Sequence, residues 1–138
     1  VESGRLGQKT GSGVYRYERG DYTPRPCEET GRLIADVQRE AGRTPRLMDK
    51  EEIEERLVMR LVNEAFRVME EGIAQRESDL DVAMVLGTGF PDFRGGVLRH
   101  ARDLGLGHVF TRLTNLSEGF GERFAPCELL RAMTKGAR

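Results

Sequence analysis

Histidine, cysteine, one asparagine and two glycine-rich stretches are the parts of this chain with a claim to chemistry, and each has a plainer use. The only histidines are His100 and His108. General acid–base catalysis wants an imidazole held by a carboxylate in a pocket. Asp103 stands three residues after His100, which reads as a surface pair on one helix. Cys27 and Cys127 lie far apart and lack metal-ligand spacing, so no metal is expected. Two free thiols in a reducing cytoplasm is the favoured reading, a disulfide the other. Asn63 and Glu64 sit within an amphipathic stretch. A buried asparagine needs partners, since an unpaired polar group costs about 1–3 kcal/mol. Asn63 is therefore either a side chain that bonds loop backbone and fixes helix-to-loop geometry, or a catalytic amide. No Ser/His/Asp order, carboxylate pair or His/Cys cluster stands out.

The glycines at 4, 7, 11 and 13 invite a phosphate-loop reading that fails on detail. A P-loop needs a strand before it and Gly-Lys-Ser/Thr at its end, whereas Lys9-Thr10 follows Gln8. A dinucleotide fingerprint opens a helix after a strand, and this stretch runs into an aromatic, extended segment. The plain reading is a tight turn whose glycines take positive φ. The second stretch, Gly87-Thr88-Gly89-Phe90-Pro91-Asp92-Phe93-Arg94-Gly95-Gly96, sets two aromatics and a proline between glycine pairs. Such a loop lets two helices approach while its aromatics plug the core. It can also aim backbone N–H groups at an anion. The residues with a stake in a cleft or in domain packing are thus Asn63, Glu64, Gly89, Phe90, Pro91, Gly95 and Gly96.

These groups must be positioned by helices. Residues 49–71 carry the strongest signal. Asp49 caps, Glu52 completes a capping-box spacing, and Gly72 stops the helix. Ile53, Leu57, Val58, Leu61, Val62, Ala65, Phe66 and Met69 follow the helical period. Leu33, Ile34 and Val37 mark a short helix over 28–41. Ser78 and Asp81 open another, with Val82, Ala83, Val85 and Leu86 as its apolar set. Further helices are expected over 95–103, 107–116 and after Pro126. Residues 13–17 alternate and suit a short extended stretch, and residues 20–26, with two prolines, read as linker. The fold class is all-α: one long helix packed by four or five shorter ones.

Composition narrows the partners. The chain has 138 residues, 38% apolar and 33% charged, with a formal net charge of -1. That balance gives no reason to expect nucleic acid or an anionic membrane as partner. No apolar run approaches the roughly 20 residues of a membrane span. The chain opens at Val1-Glu2-Ser3-Gly4 without Met, and reads as a piece of a longer, cytoplasmic protein.

Two separate stretches resemble the 3-hydroxyacyl-CoA dehydrogenases. Gly4-Arg5-Leu6-Gly7-Gln8-Lys9-Thr10-Gly11-Ser12-Gly13-Val14-Tyr15-Arg16-Tyr17 looks like the segment that closes the family's first C-terminal helical domain. Residues 56–72, with Asn63-Glu64-Ala65 and Glu70-Glu71-Gly72, look like the long first helix of such a domain. Ser78-Asp79-Leu80-Asp81-Val82-Ala83-Met84, the loop 87–96 and Asp103-Leu104-Gly105 resemble the next two helices. Arg123-Phe124-Ala125-Pro126 resembles the approach to the last. The end of one repeat preceding the start of another is similar to the duplicated region of multifunctional fatty-acid β-oxidation proteins of the alpha-subunit type. The resemblance covers roughly 4–17 and 50–134.

The resemblance implies a helical domain like the C-terminal part of 6-phosphogluconate dehydrogenase. It implies residues 1–17 as the tail of a first repeat, 18–48 as a linker with a short helix, and 49–138 as a second repeat. For the parent it implies NAD-dependent oxidation of L-3-hydroxyacyl-CoA, with the catalytic residues on a Rossmann domain absent from these residues. No cofactor is expected on this fragment, which is expected to be inactive alone. Near its substrate the family's first repeat has an asparagine followed by arginine, and a proline four residues on. This chain has Glu55-Arg56 and Arg60, departures that argue against a catalytic role for this repeat. The expected partners are the missing Rossmann and first helical domains, acyl-CoA through the parent, a second copy of the fragment in a homodimer, and a thiolase subunit. A protein-interaction module tethering such a subunit is the alternative function.

Overall fold

The computed structural model describes residues 4–136 in two compact units, which divide after Leu47. The opening Val1-Glu2-Ser3 lies outside the described residues. The first unit is a glycine-turned ribbon and one helix. Gly7 N–H donates to Ser12 O at 2.9 Å and closes the turn around Gln8–Thr10. Gly7 and Gly11 have positive φ. Gly13 is required for space instead: a Cβ there would stand 2.8 Å from Gly7 Cα. Strand β1 (Arg16–Glu18) pairs antiparallel with β2 (Asp21–Arg25), Glu18 opposite Asp21. Helix α1 (Glu28–Glu40) follows and ends in a left-handed Gly42, whose N–H and that of Arg43 satisfy Arg39 and Gln38 carbonyls.

The ribbon corrects the expectation of a linker over 20–26. Both strands of a two-stranded ribbon are edges, where a residue lacking an N–H is tolerated, so Pro24 does not forbid a strand. Arg25 pairs with both Glu18 and Asp21 and holds the strands in register.

The second unit is the helical body, and with the single ribbon elsewhere the chain is all-α in class. Helix α2 (Lys50–Glu70) is its spine, about 32 Å long at 1.5 Å per residue. Its start and stop are chemical. The Asp49 carboxylate accepts Glu52 N–H at 2.7 Å. At the other end Gly72, at φ 69, lets Ile73 N–H reach Val68 O and Gly72 N–H reach Met69 O. Against it pack α4 (Val97–Leu104), α5 (Leu106–Phe120) and α6 (Glu128–Lys135), and α3 (Glu77–Thr88) packs on α4. Val62 and Phe66 of α2, Leu98 of α4, Leu113 of α5 and Leu130 of α6 are all at 0% exposure and form its centre.

Two apolar sets land elsewhere than expected. On α2, Ile53 and Leu57 are exposed, because the core begins only at Met59. On α3, Val82, Ala83 and Leu86 face solvent, while Leu80 and Met84 pack on the core. That helix is apolar on more than one side, so periodicity alone cannot choose its inner face.

Candidate functional site

The two buried polar side chains among the described residues of the helical unit are Asn63 and Asp81, and both are bonded to backbone. Asn63 is fully buried on α2. Its Nδ2 donates to Ala125 O at 2.8 Å, and its Oδ1 accepts Cys127 N–H at 3.0 Å. One amide thereby holds the chain on either side of Pro126, where it turns into α6. Glu64, next along, points outward and pairs with Arg60 at 3.1 Å. Glu55 pairs with Arg112 of α5. Both positions that depart from the dehydrogenase pattern therefore carry ion pairs between helical side chains.

Asp81 joins α3 to α4. Its carboxylate accepts Leu98 N–H at 2.7 Å and Arg99 N–H at 3.1 Å. These N–H groups lie in the first turn of α4, where no intrahelical acceptor exists, and the helix dipole favours a negative charge there. Reading Asp81 as a residue of its own helix start missed this, because capping rules are local and this cap comes from another helix.

The expected loop residues serve the same junction. Gly89, at φ 74, ends α3. Phe90 is half-buried against the core, 6.1 Å from the His100 ring. Pro91 is exposed and opens the turn Asp92–Arg94. Gly95, at φ 74, closes that turn, and Gly96, at φ 113, lies against Asp81. Phe93 is 79% exposed, so only one of the two aromatics plugs the core. The loop's anion is internal: Asp81 occupies the N–H groups of α4. The His100–Asp103 pairing is corrected as well, since Asp103 bonds Arg99 at 3.0 Å. Burial, then the charge of Arg94, pushes the His100 imidazole toward its neutral form.

The first unit holds a cluster with no local sequence signal, its members about two dozen residues apart. Arg5 Nη2 donates to Gly13 O at 2.7 Å, to Thr30 Oγ1 at 2.8 Å and to Cys27 Sγ at 3.2 Å, and Nη1 pairs with Glu29. Cys27 stands at the N-cap position of α1, without a side-chain hydrogen bond to the helix. The guanidinium, then the N–H of Thr30, lowers its thiol to about 7 from an ordinary 9.0. Burial pushes Cys127 the other way. Both thiols are free. Iodoacetamide at neutral pH is expected to label Cys27 well before Cys127, with a rate that rises through about pH 7. Arg5→Leu is expected to move that midpoint toward 9.0. Mass spectrometry of the alkylated chain reads both effects; equal labelling of the two thiols would contradict them. Because the folded thiol is the more acidic, its contribution to stability grows between pH 7 and 9 and is lost as pH falls through about 7.

Among the described residues no group of three or more His, Cys, Asp or Glu side chains is arranged to hold a metal, and no helix is long and apolar enough to cross a membrane.

Comparison with known proteins bears on these geometries. The family described as 3-hydroxyacyl-CoA dehydrogenase, C-terminal domain, matches residues 53–138. A peroxisomal fatty acid beta-oxidation multifunctional protein of Oryza sativa subsp. japonica is 36% identical over 140 residues, covering 98% of this chain and 19% of the relative. A glyoxysomal fatty acid beta-oxidation multifunctional protein of Brassica napus is 36% identical over 141 residues, covering 99% and 19%. A fatty acid oxidation complex subunit alpha of Shewanella amazonensis is 34% identical over 129 residues, covering 94% and 18%. The chain thus spans less than a fifth of the length of these curated relatives. The plant relatives overturn the expected cytoplasmic location, being peroxisomal or glyoxysomal by name. Import into such organelles is read from short address motifs by receptors, a property that composition and helix pattern do not carry. The match over the helical unit, together with relatives that cover nearly the whole chain, shows that this chain belongs to the 3-hydroxyacyl-CoA dehydrogenase C-terminal domain family.

Proposed function

We propose that the chain is the C-terminal helical region of a multifunctional β-oxidation protein that oxidises L-3-hydroxyacyl-CoA to 3-oxoacyl-CoA with NAD. In that protein the chain packs and shapes the acyl-CoA cleft and breaks no bonds itself. One observation carries this reading: the family match falls on a helical unit whose buried polar side chains, Asn63 and Asp81, are both bonded to backbone. The described residues do not fit NAD. A dinucleotide site needs a parallel strand–glycine loop–helix unit, and β1 and β2 form an antiparallel ribbon. On this reading residues 4–17 close a first repeat, 18–48 connect, and 49–138 form the second repeat.

The outward apolar residues fit a part of a larger assembly. Leu33, Ile34 and Val37 on α1 are 49–61% exposed, and Val82 and Leu86 on α3 are 57% and 82% exposed. In the parent such faces would be covered by its Rossmann and first helical domains, and in the isolated chain by a second copy. Sedimentation is expected to show a dimer of the 138-residue chain; a stable monomer would argue against the second statement.

The reading is tested by following NADH formation from an L-3-hydroxyacyl-CoA. The whole protein that contains this chain is expected to turn over, and the 138-residue chain alone is not. Removing residues 48–138 from the whole protein is expected to abolish or strongly reduce turnover. Activity of the chain alone, or full activity without those residues, overturns the reading. The exposed Val82, Leu86 and Phe93 favour one alternative, a tether for a partner subunit such as a thiolase. Loss of co-purifying thiolase on Leu86→Glu, with dehydrogenase activity kept, would favour the tether.

A further inference from the structure

A cleft of about 630 Å³ opens within the first unit, and its lining includes Arg5, Arg16, Arg25, Arg32 and Cys27. Four separate parts of the chain supply the guanidinium groups. Arg5 precedes the glycine turn, Arg16 and Arg25 stand on β1 and β2, and Arg32 stands on α1. The chain as a whole has a formal net charge of -1, so this gathering of cations is local. Cys27, a free thiol, is half-buried among them.

The fold uses some of these charges and leaves others. Arg5 is engaged: it pairs with Glu29 and donates to Gly13 O, Thr30 Oγ1 and Cys27 Sγ. Arg25 is held by Glu18 at 2.8 Å and by Asp21 at 3.1 Å. Arg32 lies 3.5 Å from Glu28, but the two side chains are 78% and 92% exposed, so water screens the pair. Arg16 makes no ion pair among the described residues, and the ribbon register sets it directly opposite Arg25. Like charges facing each other across two strands are destabilising. The fold thus carries a repulsion at this cleft that an incoming anion would relieve.

We propose that this cleft is a site of thiol–disulfide exchange: it takes a small disulfide bearing carboxylates, of the glutathione type, and leaves Cys27 in a mixed disulfide with one half of it. The Cys27 sulfur, as thiolate, attacks one sulfur of the incoming disulfide. A new S–S bond forms and the old one breaks. The other half leaves with the electron pair as a thiolate, which takes a proton from water. The incoming disulfide is the oxidant, and no other is needed. Arg5 prepares the nucleophile, lowering the Cys27 thiol to about 7. Arg16 and Arg32 receive the carboxylates through charge-assisted hydrogen bonds. Cys127 does not compete, being buried with its thiol pushed up by that burial. The site rests on the first unit and not on the dehydrogenase reading, and its readout is the mass of the modified chain rather than NADH.

The experiment follows mixed-disulfide formation on the whole 138-residue chain by mass spectrometry at neutral pH. The probes are glutathione disulfide, which is net anionic, hydroxyethyl disulfide, which is neutral, and cystamine, which is cationic. Each rate is divided by that of the same probe with N-acetylcysteinamide, which cancels the differences among leaving thiols. Cys27 is expected to carry the added group. At low salt the normalised rate with glutathione disulfide is expected to exceed that with cystamine about tenfold or more. The excess is expected to shrink toward parity at about 1 M salt. Arg16→Glu and, separately, Arg32→Glu are expected to lower the glutathione disulfide rate about fivefold while changing the hydroxyethyl disulfide rate less than about twofold. That pattern is loss of reagent capture by an intact thiol. Arg94→Glu, in the helical unit, leaves every rate as it was. Equal normalised rates for the three probes overturn the proposal. So do addition at Cys127 ahead of Cys27, parent rates in both cleft variants, a loss in both that is as large with the neutral probe, or an equal loss in Arg94→Glu.

Discussion

Gly96→Ala is expected to cost the helical unit about 4 kcal/mol of stability, the sum of a backbone penalty and a broken cap. Gly96 sits at φ 113, where an L side chain is strained, and an added Cβ would lie 2.2 Å from Asp81 Cβ and 2.4 Å from its Cγ. No side-chain rotation relieves a clash with a Cβ. Either α4 moves away from α3 or Asp81 does, and each leaves the Leu98 and Arg99 N–H groups without their acceptor. A helical unit of this size has only about 5–15 kcal/mol to lose. The melting temperature is expected to fall by roughly 15 °C or more, read by circular dichroism. Gly95→Ala is the informative contrast. Its φ is also positive, but its Cβ would meet only the flexible Arg99 side chain, at 3.1 Å. A loss of about 1 kcal/mol is expected there. Asp81→Gly removes the obstructing atoms, so Gly96→Ala should cost less in that background than alone. A Gly96→Ala protein as stable as the parent, or penalties that simply add, would remove Asp81 from its place as the link between α3 and α4.

That link shows where sequence reasoning stopped. Helix α2 was readable from end to end because its signals are local: Asp49 caps a residue three positions away, and Gly72 ends the helix one residue past Glu71. Asp81 acts on residues 17 and 18 positions later, and Arg5 acts on Cys27 across 22. No pattern within a helical turn encodes either. The inner face of α3 is not legible from periodicity for a related reason. Its apolar residues surround the axis, and the orientation is set by Asp81 reaching α4 and by Leu80 and Met84 on the core. Pro24 misled differently, because its cost depends on whether a strand has neighbours on both sides. Of the residues singled out for a site, Gly89, Phe90, Gly95 and Gly96 do build one structural junction. Glu64 turned out to be a solvent-facing partner of Arg60.

Asn63→Ala is expected to cost about 3 kcal/mol, because it leaves a buried N–H and a buried carbonyl short of a partner. The Cys127 N–H loses its only acceptor among the described contacts, while Ala125 O keeps a long contact of 3.5 Å from Arg67. The damage should be local at first: the turn at Pro126 loosens, and α6, anchored by the fully buried Leu130, lifts from α2. Cys127, 6% exposed at the start of α6, reports this directly. Its reaction with a thiol reagent under native conditions is expected to accelerate in the variant while Cys27 is unchanged. Asn63→Asp separates the two bonds. It keeps the acceptor for Cys127 N–H and replaces the donor to Ala125 O by a second oxygen. A carboxylate buried against a carbonyl is held above the ordinary carboxyl range, so its protonated form is the one that fits, and protonation restores a donor. The sign follows: this variant's deficit relative to the parent protein shrinks as pH falls from 7 to 5, measured by urea unfolding at each pH. A deficit independent of pH, or a Cys127 no more reactive than before, would show that Asn63 does not hold α6 in place, and would reopen its reading as an amide that touches substrate.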